Sequence, residues 1–113
     1  MMEPEVTLMK KINIFEEGPF KDTGYGMLWV HDSPNFRVVN FNFKAGQTLP
    51  VHSHDTDGEL TIAVLVGEGQ FLGAEDATMP AKAGDVLVSP IATPHGIKAI
   101  TDMQVLVTIA PPP

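Results

Sequence analysis

Between Phe36 and Phe43 hydrophobic and polar residues alternate, with Val39, Phe41 and Phe43 on one face and Val38, Asn40 and Asn42 on the other. A period of two marks a strand with one face turned to a core. Shorter stretches of this kind recur at Met27–His31, Leu49–His54, Leu60–Val66, Gln70–Leu72, Val86–Ser89, Gly96–Ile100 and Met103–Ile109. Turn-forming runs separate them, such as Asp32-Ser33-Pro34-Asn35, Ala45-Gly46, Asp57-Gly58, Gly67-Glu68-Gly69 and Ala83-Gly84-Asp85. Many short strands at this spacing predict an all-β sandwich or barrel. No stretch has a helical period; residues 8–16 are the one ambiguous region. Pro111-Pro112-Pro113 reads as an extended tail, since proline cannot continue a sheet ladder. No repeat or linker divides the chain, so residues 1–113 are expected to form one domain.

Composition narrows the function. The chain has 113 residues, enough to bury a core without staples. Fourteen acidic residues against seven basic ones give a net charge of −7. Lys10-Lys11 is the one adjacent basic pair and Arg37 the one arginine, so a nucleic-acid footprint and affinity for anionic membranes are both missing. The absence of cysteine excludes disulfides, thiolate metal sites and thiol catalysis. Ile62–Val66, the longest apolar run, is far too short to span a bilayer. The start, Met1-Met2-Glu3-Pro4-Glu5, lacks the basic and apolar regions of a signal peptide, and the expected location is the cytoplasm.

Three of the four histidines fall in a pattern with chemical meaning. His52 and His54 are two apart, so an extended backbone turns both imidazoles to one side. Glu59 follows after a turn-forming segment, and His95 stands downstream in Thr93-Pro94-His95-Gly96. Three neutral nitrogens and one carboxylate oxygen suit a divalent transition ion such as Fe, Mn, Ni or Zn. Asp57 is the rival carboxylate, although Asp57-Gly58 also reads as a plain turn. Met27, Trp29 and His31 alternate and would share one strand face, making His31 either a pocket wall or a packed or exposed residue. Tyr25, between Gly24 and Gly26, reads as a surface loop residue.

These residues resemble the cupin superfamily. Its first motif is Gly, five residues, His-x-His, three or four residues, Glu, six residues and Gly; Gly46, His52, His54, Glu59 and Gly67 follow it up to Glu59. Seven residues rather than six then separate Glu59 from Gly67, a difference that a bulge or shifted turn is expected to absorb. The second motif is Gly, five residues, Pro-x-Gly, two residues, His, three residues and Asn. Gly84, Pro90 and His95 match it, while Ala92 stands for the Gly and Ala99 for the Asn. The Ala92 exchange matters only if that turn needs positive φ. The resemblance, within residues 46–99, is to small single-domain bacterial cupins. It implies an RmlC-like antiparallel double-stranded β-helix, the jelly-roll barrel, with His52, His54, Glu59 and His95 as metal ligands, in a homodimer. The apolar segment Leu8–Phe15 offers such a dimer an extra strand.

A fold of this kind hosts many functions. Four protein ligands leave up to two positions open on an octahedral ion, and open positions distinguish catalytic from structural sites. No second base accompanies the ligands. The expectation is a metal-dependent enzyme, dioxygenase-like or isomerase-like, acting on a small organic molecule. The alternative is a non-catalytic metallo-cupin that binds a small-molecule ligand. Metal buffering or sensing is a third reading, weakened by the lack of a DNA-binding segment.

Overall fold

The computed structural model describes residues 8–113. Nine strands run through the described residues: β1 Gly26–Asp32, β2 Arg37–Phe43, β3 Thr48–His52, β4 Glu59–Val66, β5 Glu68–Leu72, β6 Thr78–Lys82, β7 Val86–Pro90, β8 His95–Ala99 and β9 Met103–Ala110. They form two antiparallel sheets, one ordered β1-β2-β9-β4-β7 and the other β3-β8-β5-β6. The all-β double-stranded β-helix expected from the sequence is thus observed. Only β6 has no counterpart in the alternation pattern. Pro80 at its centre reads against a strand, yet β6 is an edge, where one missing N–H leaves no neighbour unpaired.

Register across the five-stranded sheet stacks its inward side chains in rows. Arg37, Ile109 and Leu60 are successive partners across β2, β9 and β4. Val39, Val107 and Ile62 make the next row, and Phe41, Val105 and Val64 the third. Trp29 and Met27 on β1 extend the second and third rows through their pairing with Val39 and Phe41. From the other sheet Ile97, Ala99, Phe71 and Ala81 close the core, with Phe43, Ile91 and Met103 fully buried. Each large apolar side chain so buried stabilises the fold by about 1.5–3 kcal/mol.

The polar face of β2 is not solvated as half-burial implies. Asn40 and Asn42 are completely buried. The Asn42 Nδ2 donates to Asn40 Oδ1 (2.8 Å), Gln104 Nε2 donates to Asn42 Oδ1 (2.8 Å), and Asn40 Nδ2 donates to the Val105 carbonyl (3.0 Å). The N-terminal segment covers them: a Cβ on Gly18 would stand 2.6 Å from Asn40 Oδ1, and one on Gly26 only 1.9 Å from the Pro19 carbonyl. Among the described residues no buried side-chain polar atom lacks a partner. This segment also holds the one α-helix of the described residues, α1 Ile14–Glu17, capped by Asn13 Oδ1 accepting from the Glu16 N–H. Leu8–Phe15 therefore supplies no strand to either sheet; it leads into α1, with Leu8, Met9 and Phe15 exposed. No helix of the described residues is long and apolar enough to cross a membrane.

Three bulges re-aim side chains. In β1 the register slips between Trp29 and His31. Trp29 faces inward with Val39, whereas His31 pairs with Val38 on the outer face and packs on Phe36 at 4.5 Å between ring centroids. The expectation that Met27, Trp29 and His31 share a face is thereby corrected, because one inserted residue reverses the parity of all that follow. Similar slips occur in β3 between Leu49 and His52, and in β4 between Val64 and Val66.

Candidate metal centre

His52 ends β3 and His95 begins β8, and the two are cross-strand partners. Their ring centroids lie 4.6 Å apart. Gly96 makes this approach feasible: a Cβ there would meet the Leu49 carbonyl oxygen at 2.7 Å and the Val51 nitrogen at 2.9 Å. His54 follows in the loop between β3 and β4, its ring 5.7 Å from that of His52. The loop is pinned to the β7–β8 connection, where His54 N–H donates to the Ile91 carbonyl (3.4 Å) and Ile91 N–H donates to the Gly58 carbonyl (3.0 Å). Ala92, in that connection, does not have positive φ, so its exchange for glycine is without strain.

Hydrogen bonds set the tautomers of two rings. His52 Nδ1 lies 2.8 Å from the Pro50 carbonyl, and His95 Nδ1 lies 2.6 Å from the Thr93 carbonyl. A carbonyl can only accept, so each Nδ1 carries the proton and each Nε2 keeps its lone pair. His95 is buried, and desolvation holds its imidazole below the ordinary histidine range; the Thr93 carbonyl opposes this and the neighbouring His52 and His54 reinforce it. A neutral imidazole is the form that ligates.

Glu59 is not brought to the histidines. It opens β4 as an exposed residue, whereas Leu60, Ile62 and Val64 alternate inward. The pairing from Glu59 to Val64 against β9 is unbroken, and the β4 bulge comes only after Val64. The bulge expected from the seven-residue spacing therefore exists but leaves Glu59 on the outward parity, and Leu60 occupies the inward position. Asp57 is exposed too, and neither carboxylate lines the cavity beside the histidines. Among the described residues, no three or more His, Asp or Glu side chains are gathered as around an ion. The three imidazoles suit a divalent ion by their chemistry, and Glu59 is set apart from them by its outward parity. His54 lines the same cavity as His52 and His95, and its ring has no hydrogen-bond partner among the described residues.

The three histidines border a cavity of about 260 Å³ whose other walls are almost wholly apolar. Leu60, Ile62, Val107 and Ile109 line it from the rows described above, with Trp29 and Arg37 on the same side and Pro113 from the tail. Sequence reasoning gave Arg37 no role, although its parity with Val39 and Phe41 places it on the inward face. Tyr25 is half-buried rather than a surface residue; it packs edge-on against Phe41, ring centroids 5.3 Å apart, outside the cavity.

Comparisons with known proteins agree with the fold. The chain is similar to an RmlC-like cupin protein from Desulfovibrio desulfuricans, at 59% identity and a TM-score of 0.89 over 93% of this chain and 99% of that one. A double-stranded β-helix protein from Klebsiella pneumoniae shares 20% identity (TM-score 0.84, 91% and 90% covered), and KdgF from Halomonas sp. shares 23% (TM-score 0.75, 90% and 94% covered). These two bear on the fold alone. The comparison with curated proteins returned no match. The family described as "Cupin domain" matches residues 39–110. That stretch runs from β2 to β9 and carries both histidine motifs, and on this ground the chain belongs to the cupin family.

Proposed function

We propose that this cupin binds a divalent transition ion (Fe, Mn, Ni or Zn) through His52, His54 and His95, and acts on a small organic molecule held in the adjoining cavity. One observation carries the reading: His52 and His95 face each other across β3 and β8, each with Nδ1 committed to a backbone carbonyl and Nε2 available. When bound, such an ion supplies Lewis-acid or redox chemistry suited to a dioxygenase-like or isomerase-like reaction. The protein's own part is to orient two imidazoles through the Pro50 and Thr93 carbonyls, keep His95 neutral by burial, and exclude water with an apolar wall. A small cavity restricts the ligand, since typical small-molecule sites span about 300–1,000 Å³.

A second reading is a non-catalytic metallo-cupin that binds its ligand without turnover. It is favoured by the cavity lining, which among the described residues holds no carboxylate, lysine or tyrosine and so offers histidine as its proton-transfer group. The test begins with metal content: protein made without an affinity tag and loaded with cobalt(II) is expected to hold one ion per chain, and His95→Ala none. Full stoichiometry in His95→Ala would sink the site. Dioxygen uptake and turnover of small hydroxy and keto acids by the loaded protein then separate enzyme from binder. We further propose a homodimer.

A further inference from the structure

Arg37 is the only arginine of the chain and, among the described residues, the only one with a fixed charge that lines the cavity. It stands in one row with Ile109 and Leu60, so it lies two strands from Leu60, about 10 Å across the sheet. Its side chain is held on two sides. Nε donates to Asp32 Oδ1 at 3.0 Å, and the guanidinium carbon lies 5.0 Å from the centre of the Trp29 ring. Nη2 makes only a long contact with Asp32 Oδ2, at 3.5 Å, and Nη1 has no hydrogen-bond partner among the described residues. A guanidinium carries five N–H donors in a rigid fork, so this one keeps donors for a ligand.

From this placement we infer that the cavity is built for a small monocarboxylate with an apolar body, its carboxylate anchored by Arg37. Val39, Val107 and Ile109 lie beside the arginine and supply an apolar bed for the body. The far end of the ligand then points toward the histidines. A singly charged, planar carboxylate matches the available edge of the fork. A phosphate dianion does not: the guanidinium is already half neutralised by Asp32, no second cation among the described residues lines the cavity, and the chain carries a net charge of −7. The inference takes the cavity as the binding site proposed above but does not depend on the ion.

Trp29 is the only tryptophan and sits against Arg37, so its fluorescence reports on this end of the cavity. The experiment titrates hexanoate and hexanamide into metal-free and cobalt-loaded protein, with calorimetry as a second readout. Hexanoate is expected to saturate metal-free protein, and hexanamide to bind about ten- to a hundredfold more weakly, as loss of a charge-assisted hydrogen bond predicts. Arg37→Gln is expected to weaken hexanoate by the same factor and to leave hexanamide unchanged. Arg37→Lys, which keeps the charge without the fork, should fall between, and guards against a Gln variant that misfolds. Equal affinity for acid and amide, no saturation by hexanoate, or no effect of either variant would overturn the inference. Hexanoate binding only to cobalt-loaded protein would also overturn it, by placing the carboxylate on the ion. Failure of cobalt uptake with acid-selective binding intact would instead overturn the metal reading and leave this one standing.

Discussion

Replacing Leu60 by glutamate puts a carboxylate where the structure turns a side chain inward, beside the histidines. Without metal, the buried acid should lower the melting temperature, since an unpaired charge in an apolar wall is destabilising. With cobalt(II) the new carboxylate can ligate, so the gap in melting temperature between loaded and metal-free protein should be wider than in the natural chain. Glu59→Gln, on the exposed side, should change stability by less than about 0.5 kcal/mol and leave the cobalt effect alone. A lost cobalt effect in Glu59→Gln would restore Glu59 to the site. His95 adds a pH dependence. Burial depresses its folded-state pKa, so below the unfolded value near 6.5 the unfolded chain binds a proton that the folded one resists. In chelator, urea-melt stability should hold above about pH 6.5 and fall below it, and His95→Gln should flatten that slope. The histidine pattern was legible in the sequence from the motif spacing, although His54 lies in the loop just past β3 rather than on the strand itself. The face of Glu59 was not, because it depends on which side of Val64 a bulge lies.

At the scale of elements, every strand position but that of β6 was readable from alternation and from motif glycines. Gly46, Gly67 and Gly84 all have positive φ, and a Cβ at Gly67 would lie 2.0 Å from the Asp102 carbonyl oxygen. The seven residues between Glu59 and Gly67 announced the bulge in β4, but those in β1 and β3 were not readable, since nothing in Trp29-Val30-His31 or Pro50-Val51 announces one extra residue. Nor was the burial of Asn40 and Asn42, which needs a distant segment to lie over them. Gly96→Ala probes how far the site depends on strand contact. Its Cβ would press on the backbone of β3, the strand that presents His52. A loss of about 1–3 kcal/mol is expected from such overpacking, together with weaker cobalt binding. Gly73→Ala is the control, with its nearest neighbour an ordinary 3.4 Å contact to Ala77. If both variants bind cobalt like the natural chain, the close approach of β3 to β8 does not tune the centre.

For the whole molecule, light scattering at micromolar concentration should give twice the 12.2 kDa protomer mass, and a monomer alone would refute the dimer. Exposed Val86 and Val88 on β7, an edge of the five-stranded sheet, are apolar surface of the kind that a second copy would cover. The two sheets also contribute differently to the cavity. His52 and His95 come from β3 and β8, with His54 just beyond β3, whereas Trp29, Arg37, Val39, Ile62, Val107 and Ile109 all come from the opposite sheet. Selection can therefore act on the two independently: substitutions spread over β2, β4 and β9 can reshape what the cavity admits without displacing a single imidazole. A library randomised at Val39, Ile62 and Val107 should yield members of altered ligand preference that still take up one cobalt ion each, the behaviour of a scaffold suited to acquiring new substrates.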